Sequence, residues 1–210
     1  MEPNPAESAQ LIVTKYVTSS PPAVVDGLTR YLTEVLTWTR EIALISRRDP
    51  VGTCERLLLE SLEIGRIAAI ATDETIVDIG SGAGFPGAVW AIVHPNARVL
   101  LIERRERKVA FLERLIRSIP LANVEVFGGE ARVAARTEKH RRRYSLAATM
   151  AVGAPLELAG EIERLLTPGA RFVSTIPRDS TPEGARGSFT LISAMSGEYG
   201  RYALYRFGVT

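Results

Sequence analysis

The stretch Val77-Asp78-Ile79-Gly80-Ser81-Gly82-Ala83-Gly84-Phe85-Pro86-Gly87 constrains this chain more than any other. A short apolar strand pattern, Thr75–Ile79, leads into it, and a helical pattern over Phe85–Val93 follows. Glycines at alternate positions permit dihedrals that side chains disfavour and let a ligand approach the backbone closely. Strand, Gly-rich turn and helix in succession open an α/β sheet, whose ligands bind beyond the carboxyl ends of the strands.

The rest of the sequence continues that alternation. Arg98–Ile102, Asn123–Phe127, Tyr144–Met150 and Ala170–Ile176 read as further strands. Helical patterns over Arg107–Arg117 and Leu156–Leu166 separate them, which implies parallel pairing with right-handed crossovers. At the end, Phe189–Met195 and Arg201–Phe207 flank Ser196-Gly197-Glu198-Tyr199-Gly200 and read as an antiparallel hairpin. Before residue 73 the pattern is helical. Ser20-Pro21-Pro22 precedes a face of Val25, Leu28, Leu32, Val35 and Leu36, while Asp49-Pro50 joins a cap residue to Pro at the first helical position. The expected organisation is a weakly ordered tail over 1–20, a helical part over 21–72 and an α/β domain over 73–210.

Composition narrows the classes. At 210 residues and 46% hydrophobic, the chain can bury one sizeable α/β core. It has no apolar run of the ~18–20 residues needed to span a membrane. Its first ten residues, MEPNPAESAQ, do not read as a signal peptide, so a cytoplasmic location is expected. A lone Cys54 forms no internal disulfide, and two histidines, His94 and His140, supply no Cys/His metal cluster; no metal is expected. The net charge of +2 is unremarkable, but cations cluster at Arg104-Arg105-Glu106-Arg107-Lys108 and at Lys139-His140-Arg141-Arg142-Arg143. Arg104, Arg105, Arg141, Arg142 and Arg143 are candidate phosphate contacts, with a solvated loop as the competing reading of the second cluster.

Two ligand classes suit the turn. A dinucleotide fingerprint, G-x-G-x-x-G, needs its third glycine where Phe85 stands. A pyrophosphate also needs a free helix N-terminus, which Phe85-Pro86 occupies. Asp78, just before the first glycine, suits a cationic ligand better. The second strand ends at Glu103, about twenty residues on, where a carboxylate can accept both ribose hydroxyls; its competing reading is a surface ion pair with Arg104 and Arg105. A methionine sulfonium joined to adenosine meets these conditions without a phosphate. The cofactor expected is therefore S-adenosylmethionine, with Asp78, Gly80, Ser81, Gly82, Gly84, Phe85 and Glu103 around it.

Asp78-Ile79-Gly80-Ser81-Gly82-Ala83-Gly84-Phe85-Pro86-Gly87, with its Phe-Pro-Gly extension, resembles the bacterial small-subunit ribosomal RNA methyltransferase G (GidB) family. Leu101-Ile102-Glu103 followed by Arg107-Lys108-Val109-Ala110-Phe111-Leu112 is similar to the family's acid and its "K-R-x-x-F-L" helix. Leu58-Leu59-Glu60-Ser61-Leu62 is similar to its "L-L-D-S-L" segment. The resemblance covers roughly residues 25 to 176. It implies a Rossmann-like class I methyltransferase sheet, mostly parallel with a C-terminal antiparallel hairpin and preceded by a small helical part. It further implies methyl transfer from S-adenosylmethionine to N7 of one guanine in 16S rRNA, with the 30S subunit as partner. Glu130-Ala131-Arg132 matches the family's "R-A-E" with the charges exchanged, which puts these three near the adenine.

The departures fall on positions that are polar in the family. Leu57 replaces its histidine, Ile45 ends the segment matching its "N-L-T", Met150 replaces an arginine in the segment Thr149-Met150-Ala151, and Ile176 replaces a lysine. Guanine N7 carries a free lone pair and needs no general base, so catalysis would rest on alignment, and no catalytic residue is assigned. Two further readings compete: a relative retargeted to another RNA or a small molecule, and a non-catalytic protein that binds S-adenosylmethionine or RNA.

Overall fold

The computed structural model describes residues 4–17, 19–119, 121–150, 155–177 and 179–208. Three helices come first: α1 (Pro5–Tyr16), α2 (Pro22–Thr39) and α3 (Pro50–Ala68). The first of them corrects the expectation of a weakly ordered tail. Asn4 caps α1 by accepting a hydrogen bond from the Ala6 amide at 2.9 Å, Pro5 presets the first turn, and Ala9, Ile12 and Val13 are buried in the main core. Burying each of the two branched side chains is worth about 1.5–3 kcal/mol, enough to hold a short helix against its neighbours. In α3, Asp49 caps as anticipated, accepting from the Gly52 amide at 3.0 Å. Helix α2 starts at Pro22 as anticipated, but without a side-chain cap.

The α/β part runs β1 (Thr75–Ile79), α4 (Gly87–Val93), β2 (Arg98–Glu103), α5 (Glu106–Ser118), β3 (Val124–Gly128), α6 (Ala131–Ala134), β4 (Tyr144–Thr149), α7 (Ala159–Leu165) and β5 (Leu166–Thr175). Three antiparallel strands close it: β6 (Ala185–Arg186), β7 (Phe189–Ser196) and β8 (Arg201–Phe207). The sheet order is β3-β2-β1-β4-β5-β8-β7-β6. Pairing is parallel from β3 to β5, and antiparallel for β5–β8, β8–β7 and β7–β6. The expected mostly parallel sheet with a terminal hairpin is therefore present, and only the two-residue β6 was unanticipated.

Alternation along the strands sends side chains to two cores. Ile76, Leu101, Ala148 and Val173 face the core shared with α1–α5, while Val77, Ile102, Ala147 and Phe172 face α6 and α7. Because β1 to β4 are parallel, every loop that follows one of them emerges at the same end of the sheet. Every loop that precedes one lies at the other end. Among the described residues, no helix is long and apolar enough to cross a membrane.

Candidate active site

The Gly-rich turn after β1 uses its glycines for two purposes. Gly80, Gly82 and Gly84 have φ of 77°, 59° and 102°, in the region that favours glycine. Gly80 and Ser81 donate their amides to the Ile102 carbonyl at 2.8 and 3.0 Å, which ties the turn to β2. A Cβ on Gly82 would make only ordinary contacts, with Lys108 Nζ at 3.7 Å and the Gly80 carbonyl oxygen at 3.8 Å. A Cβ on Gly84 would instead lie 3.0 Å from Ala88 Cβ and 3.3 Å from the Tyr31 hydroxyl. Gly82 is thus called for by its backbone conformation rather than by crowding, whereas Gly84 leaves room for Tyr31. That tyrosine donates to the Ala83 carbonyl at 3.2 Å and meets Phe85 edge-on, ring centres 5.2 Å apart. Its burial favours core packing over stacking on a substrate base.

Asp78 is fully buried behind the turn. Its Oδ2 accepts the Gly87 amide at 3.1 Å, and its Oδ1 has no partner among the described residues. Burial pushes its pKa up to about 7. Gly87 begins α4, so the carboxylate occupies the end of that helix, where a pyrophosphate would have to sit. Asp78 and Gly84 therefore support the turn from behind, and neither lines the cleft in front of it.

That cleft, ≈ 710 Å³, lies at the carboxyl ends of β1 to β4 and falls within the usual size of small-ligand sites. Gly80, Ser81, Gly82 and Phe85 form one wall; Glu103, Arg104 and Arg105 follow β2; Glu130, Ala131 and Arg132 follow β3. The structure thus brings together all the sequence-predicted cofactor residues except Asp78 and Gly84. Glu103 is buried, its two oxygens accepting the Gly82 amide at 2.9 Å and the Arg105 amide at 2.8 Å. These bonds fix the carboxylate and leave lone pairs to accept hydroxyls. Among the described residues it makes no salt bridge with Arg104 or Arg105, so the surface ion-pair reading lapses. Glu130 and Arg132 contact one another at the rim.

Part of the remaining wall is apolar and comes from elsewhere in the chain, beside Lys108, Glu157 and Glu161. Leu44, Ile45 and Leu57 arrive from the helical part, and Met150 from the end of β4. Three of the four positions at which the resemblance implies a polar residue, 45, 57 and 150, therefore converge here as hydrocarbon or thioether. Ile176 instead packs against the second core. Ala151 lies outside the described residues.

An adjoining groove of ≈ 650 Å³ carries Arg47, Arg104, Arg105, Arg107 and Lys108, with Glu41 and Glu106 as its acids. Lys108 is half-buried and donates to the Leu44 carbonyl at 3.3 Å; desolvation lowers its pKa. Arg47 donates Nε to the Thr39 carbonyl and Nη2 to the Glu41 carbonyl, each at 3.2 Å, and makes no salt bridge among the described residues. Arg47 had no sequence signal, because only the tertiary fold brings the 41–47 segment over the cleft. Trp90 is buried and donates to the Ser61 carbonyl at 2.8 Å, a structural role. Trp38 is partly buried, with the Arg114 guanidinium 5.0 Å from its ring centre.

Arg141, Arg142 and Arg143 are exposed, but they precede β4 and so lie at the end of the sheet opposite the cleft. The sequence could not place the two clusters relative to one another; the parallel topology separates them.

The rRNA small subunit methyltransferase G family (GidB) matches residues 25–180. A ribosomal RNA small subunit methyltransferase G from Roseiflexus castenholzii is 33% identical over 153 residues, covering 71% of this chain and 64% of that protein. One from Roseiflexus sp. is 31% identical over 173 residues, covering 82% and 73%. The chain thus spans slightly less than two thirds of the first relative. Among solved structures, a point mutant of MtNAS in complex with S-adenosylmethionine superposes with a TM-score of 0.63 at 14% identity, covering 96% of this chain and 78% of that one. An RNA methyltransferase from Salinibacter ruber in complex with S-adenosyl-L-homocysteine gives 0.57 at 16%, covering 72% and 92%. At such identities these two structures speak for the fold.

Proposed function

The chain belongs to the rRNA small subunit methyltransferase G family, and on that premise we propose that it is an S-adenosylmethionine-dependent methyltransferase acting on N7 of a guanine in 16S rRNA. One observation carries the reading. The Gly80–Gly82 turn and the fixed carboxylate of Glu103 face one cleft, and that cleft adjoins a groove of five cations. The residues present fit the cofactor. Glu103 would accept the ribose hydroxyls, Gly80 and Gly82 would admit the amino-acid arm, and Ala131 would leave room for adenine.

When bound, S-adenosylmethionine supplies an electrophilic methyl group. The chain's own residues do the rest. Phe85, Leu57 and Met150 exclude water beside the Gly-rich turn, and the rim cations Arg104 and Arg105 hold backbone phosphates so that the base enters in line. An N7 lone pair needs no proton removed, and alignment alone accounts for a large rate gain. The 30S subunit in the cytoplasm is the proposed partner. The apolar cluster Ile45, Leu57 and Met150 favours one second reading, a relative retargeted to another RNA or a small molecule.

Calorimetric titration with S-adenosylmethionine, S-adenosylhomocysteine and NAD tests the cofactor, and methyl transfer to undermethylated 30S particles tests the substrate. Micromolar binding of the two adenosyl compounds alone, with 7-methylguanine formed in 16S rRNA, is expected. Cofactor binding without rRNA methylation favours the retargeted relative or a non-catalytic binder.

A further inference from the structure

A second cleft, ≈ 1180 Å³, lies apart from the candidate active site. It opens at the amino ends of β1 to β4, where Arg98, Lys139 and Arg143 line it. Its acids are already engaged: Asp26 pairs with Arg30 at 3.0 Å, and Glu125 with Lys139. Among the described residues, Arg98, Arg141, Arg142 and Arg143 make no salt bridge. Beside the paired Lys139, these four arginines form a cationic surface with no paired carboxylate among the described residues.

The loop that carries this charge is held in place. His140 is buried, hydrogen-bonded through Nδ1 to the Tyr144 hydroxyl at 2.8 Å and edge-on to Phe127. The Arg142 and Arg143 amides donate to the carbonyls of Arg164 and Leu165 at 2.8 and 2.9 Å. Arg142 has φ of 51°, a conformation in which glycine would be less strained. A fixed backbone presenting three exposed guanidiniums has already lost the entropy that a flexible loop would lose on binding an anion.

We propose that this surface grips the phosphodiester backbone of the RNA substrate at a second point, remote from the methyl-transfer cleft. The inference rests on the reading above that the substrate is RNA. Strand β4 runs from Tyr144 beside the basic loop to Thr149, next to Met150 in the cleft. Its six residues, at roughly 3.3 Å each, separate the two sites by about 20 Å. A mononucleotide cannot reach both, whereas a folded RNA can. Planar, permanently charged guanidiniums suit phosphate oxygens, and the contact would be indifferent to base sequence.

The test compares wild type with two triple variants, Arg141→Ala/Arg142→Ala/Arg143→Ala and Arg141→Lys/Arg142→Lys/Arg143→Lys. Binding to naked 16S rRNA and to undermethylated 30S particles is measured across salt concentrations, together with methyl-transfer kinetics. The alanine variant should lower the slope of log K against log salt by about 2–3. It should raise the RNA KM roughly tenfold, with kcat and the S-adenosylmethionine Kd within about twofold of wild type. The lysine variant should retain most of the slope. An unchanged slope and KM in the folded alanine variant overturns the proposal while leaving the methyltransferase reading intact. A loss on 30S particles but not on naked rRNA also overturns it, assigning the surface to a ribosomal protein. Wild type that binds S-adenosylmethionine but neither binds nor methylates RNA defeats the underlying reading, and this proposal with it.

Discussion

Asp78→Asn should make stability less dependent on pH, in a direction that the burial of Asp78 determines. The wild-type carboxyl is fully buried, with one oxygen on the Gly87 amide and the other without a partner among the described residues. Burial raises its pKa from an ordinary 3.8 to about 7. A rise of that size corresponds to about 4 kcal/mol between protonated and ionised forms. Between these two pH values the native chain holds a proton that the unfolded chain has released. Stability therefore falls as pH rises through the window and levels off above about 7. Asparagine keeps an oxygen for Gly87 and cannot ionise. Glu63 and Glu74 act in the opposite sense. Burial alone would raise their pKa values, but hydrogen bonds from Tyr202 and from Ser145, among others, outweigh it and lower them. Their stabilisation is lost as pH falls, in both proteins alike, so it cancels in the difference. Urea denaturation at pH 5 and pH 8 should show the variant gaining about 3 kcal/mol relative to wild type across that interval. A difference that stays constant with pH would refute the premise that Asp78 is protonated when folded at pH 5.

Gly80→Arg should abolish S-adenosylmethionine binding by filling the cleft, and should cost about 1–2 kcal/mol of strain at φ 77° while the fold survives; unchanged affinity in a calorimeter would move the site. Glu103→Ala should weaken cofactor binding roughly ten- to a hundredfold, about 1.4–2.8 kcal/mol, since the ribose acceptor and the anchor of the Gly82 amide go together. Tyr31→Phe removes the bond to the Ala83 carbonyl and should lower stability by about 1 kcal/mol; an unaltered melting temperature would show that the bond contributes nothing. Cys54 is buried, with its thiol pushed up to about 12, so native protein should react with a thiol reagent only as fast as it opens. Rapid stoichiometric labelling would contradict that burial.

Much of this architecture was legible because it rests on local pattern. The Gly-rich turn, the acid ending β2 and the spacing of strands and helices depend on neighbours in sequence. Helix α1 was also legible in principle, since Asn4-Pro5 is a start signal and Ala9, Ile12 and Val13 recur at helical spacing; a Pro-containing, polar N-terminus concealed it. The site was harder wherever residues far apart in sequence converge. Ile45, Leu57 and Met150 belong to three separate segments, and nothing local indicates that they share a wall. Gly84 looks like its companions until Tyr31 arrives against it from α2. The acid that pairs with Lys139 is Glu125 on β3, invisible from within the basic loop.

Leu44, Ile45 and Leu57 belong to the helical layer, yet they close a cleft whose floor is the sheet. A ligand held there touches both, so its binding energy is distributed across their junction. Molecules in which that layer has transiently swung open are not competent to bind, and the apparent affinity falls with their share of the population. Conversely, occupancy should suppress the opening, and amide hydrogens of α2 and α3 should exchange more slowly in the liganded protein. The cofactor would in this way report on tertiary assembly, being retained only by chains whose first seventy or so residues have docked.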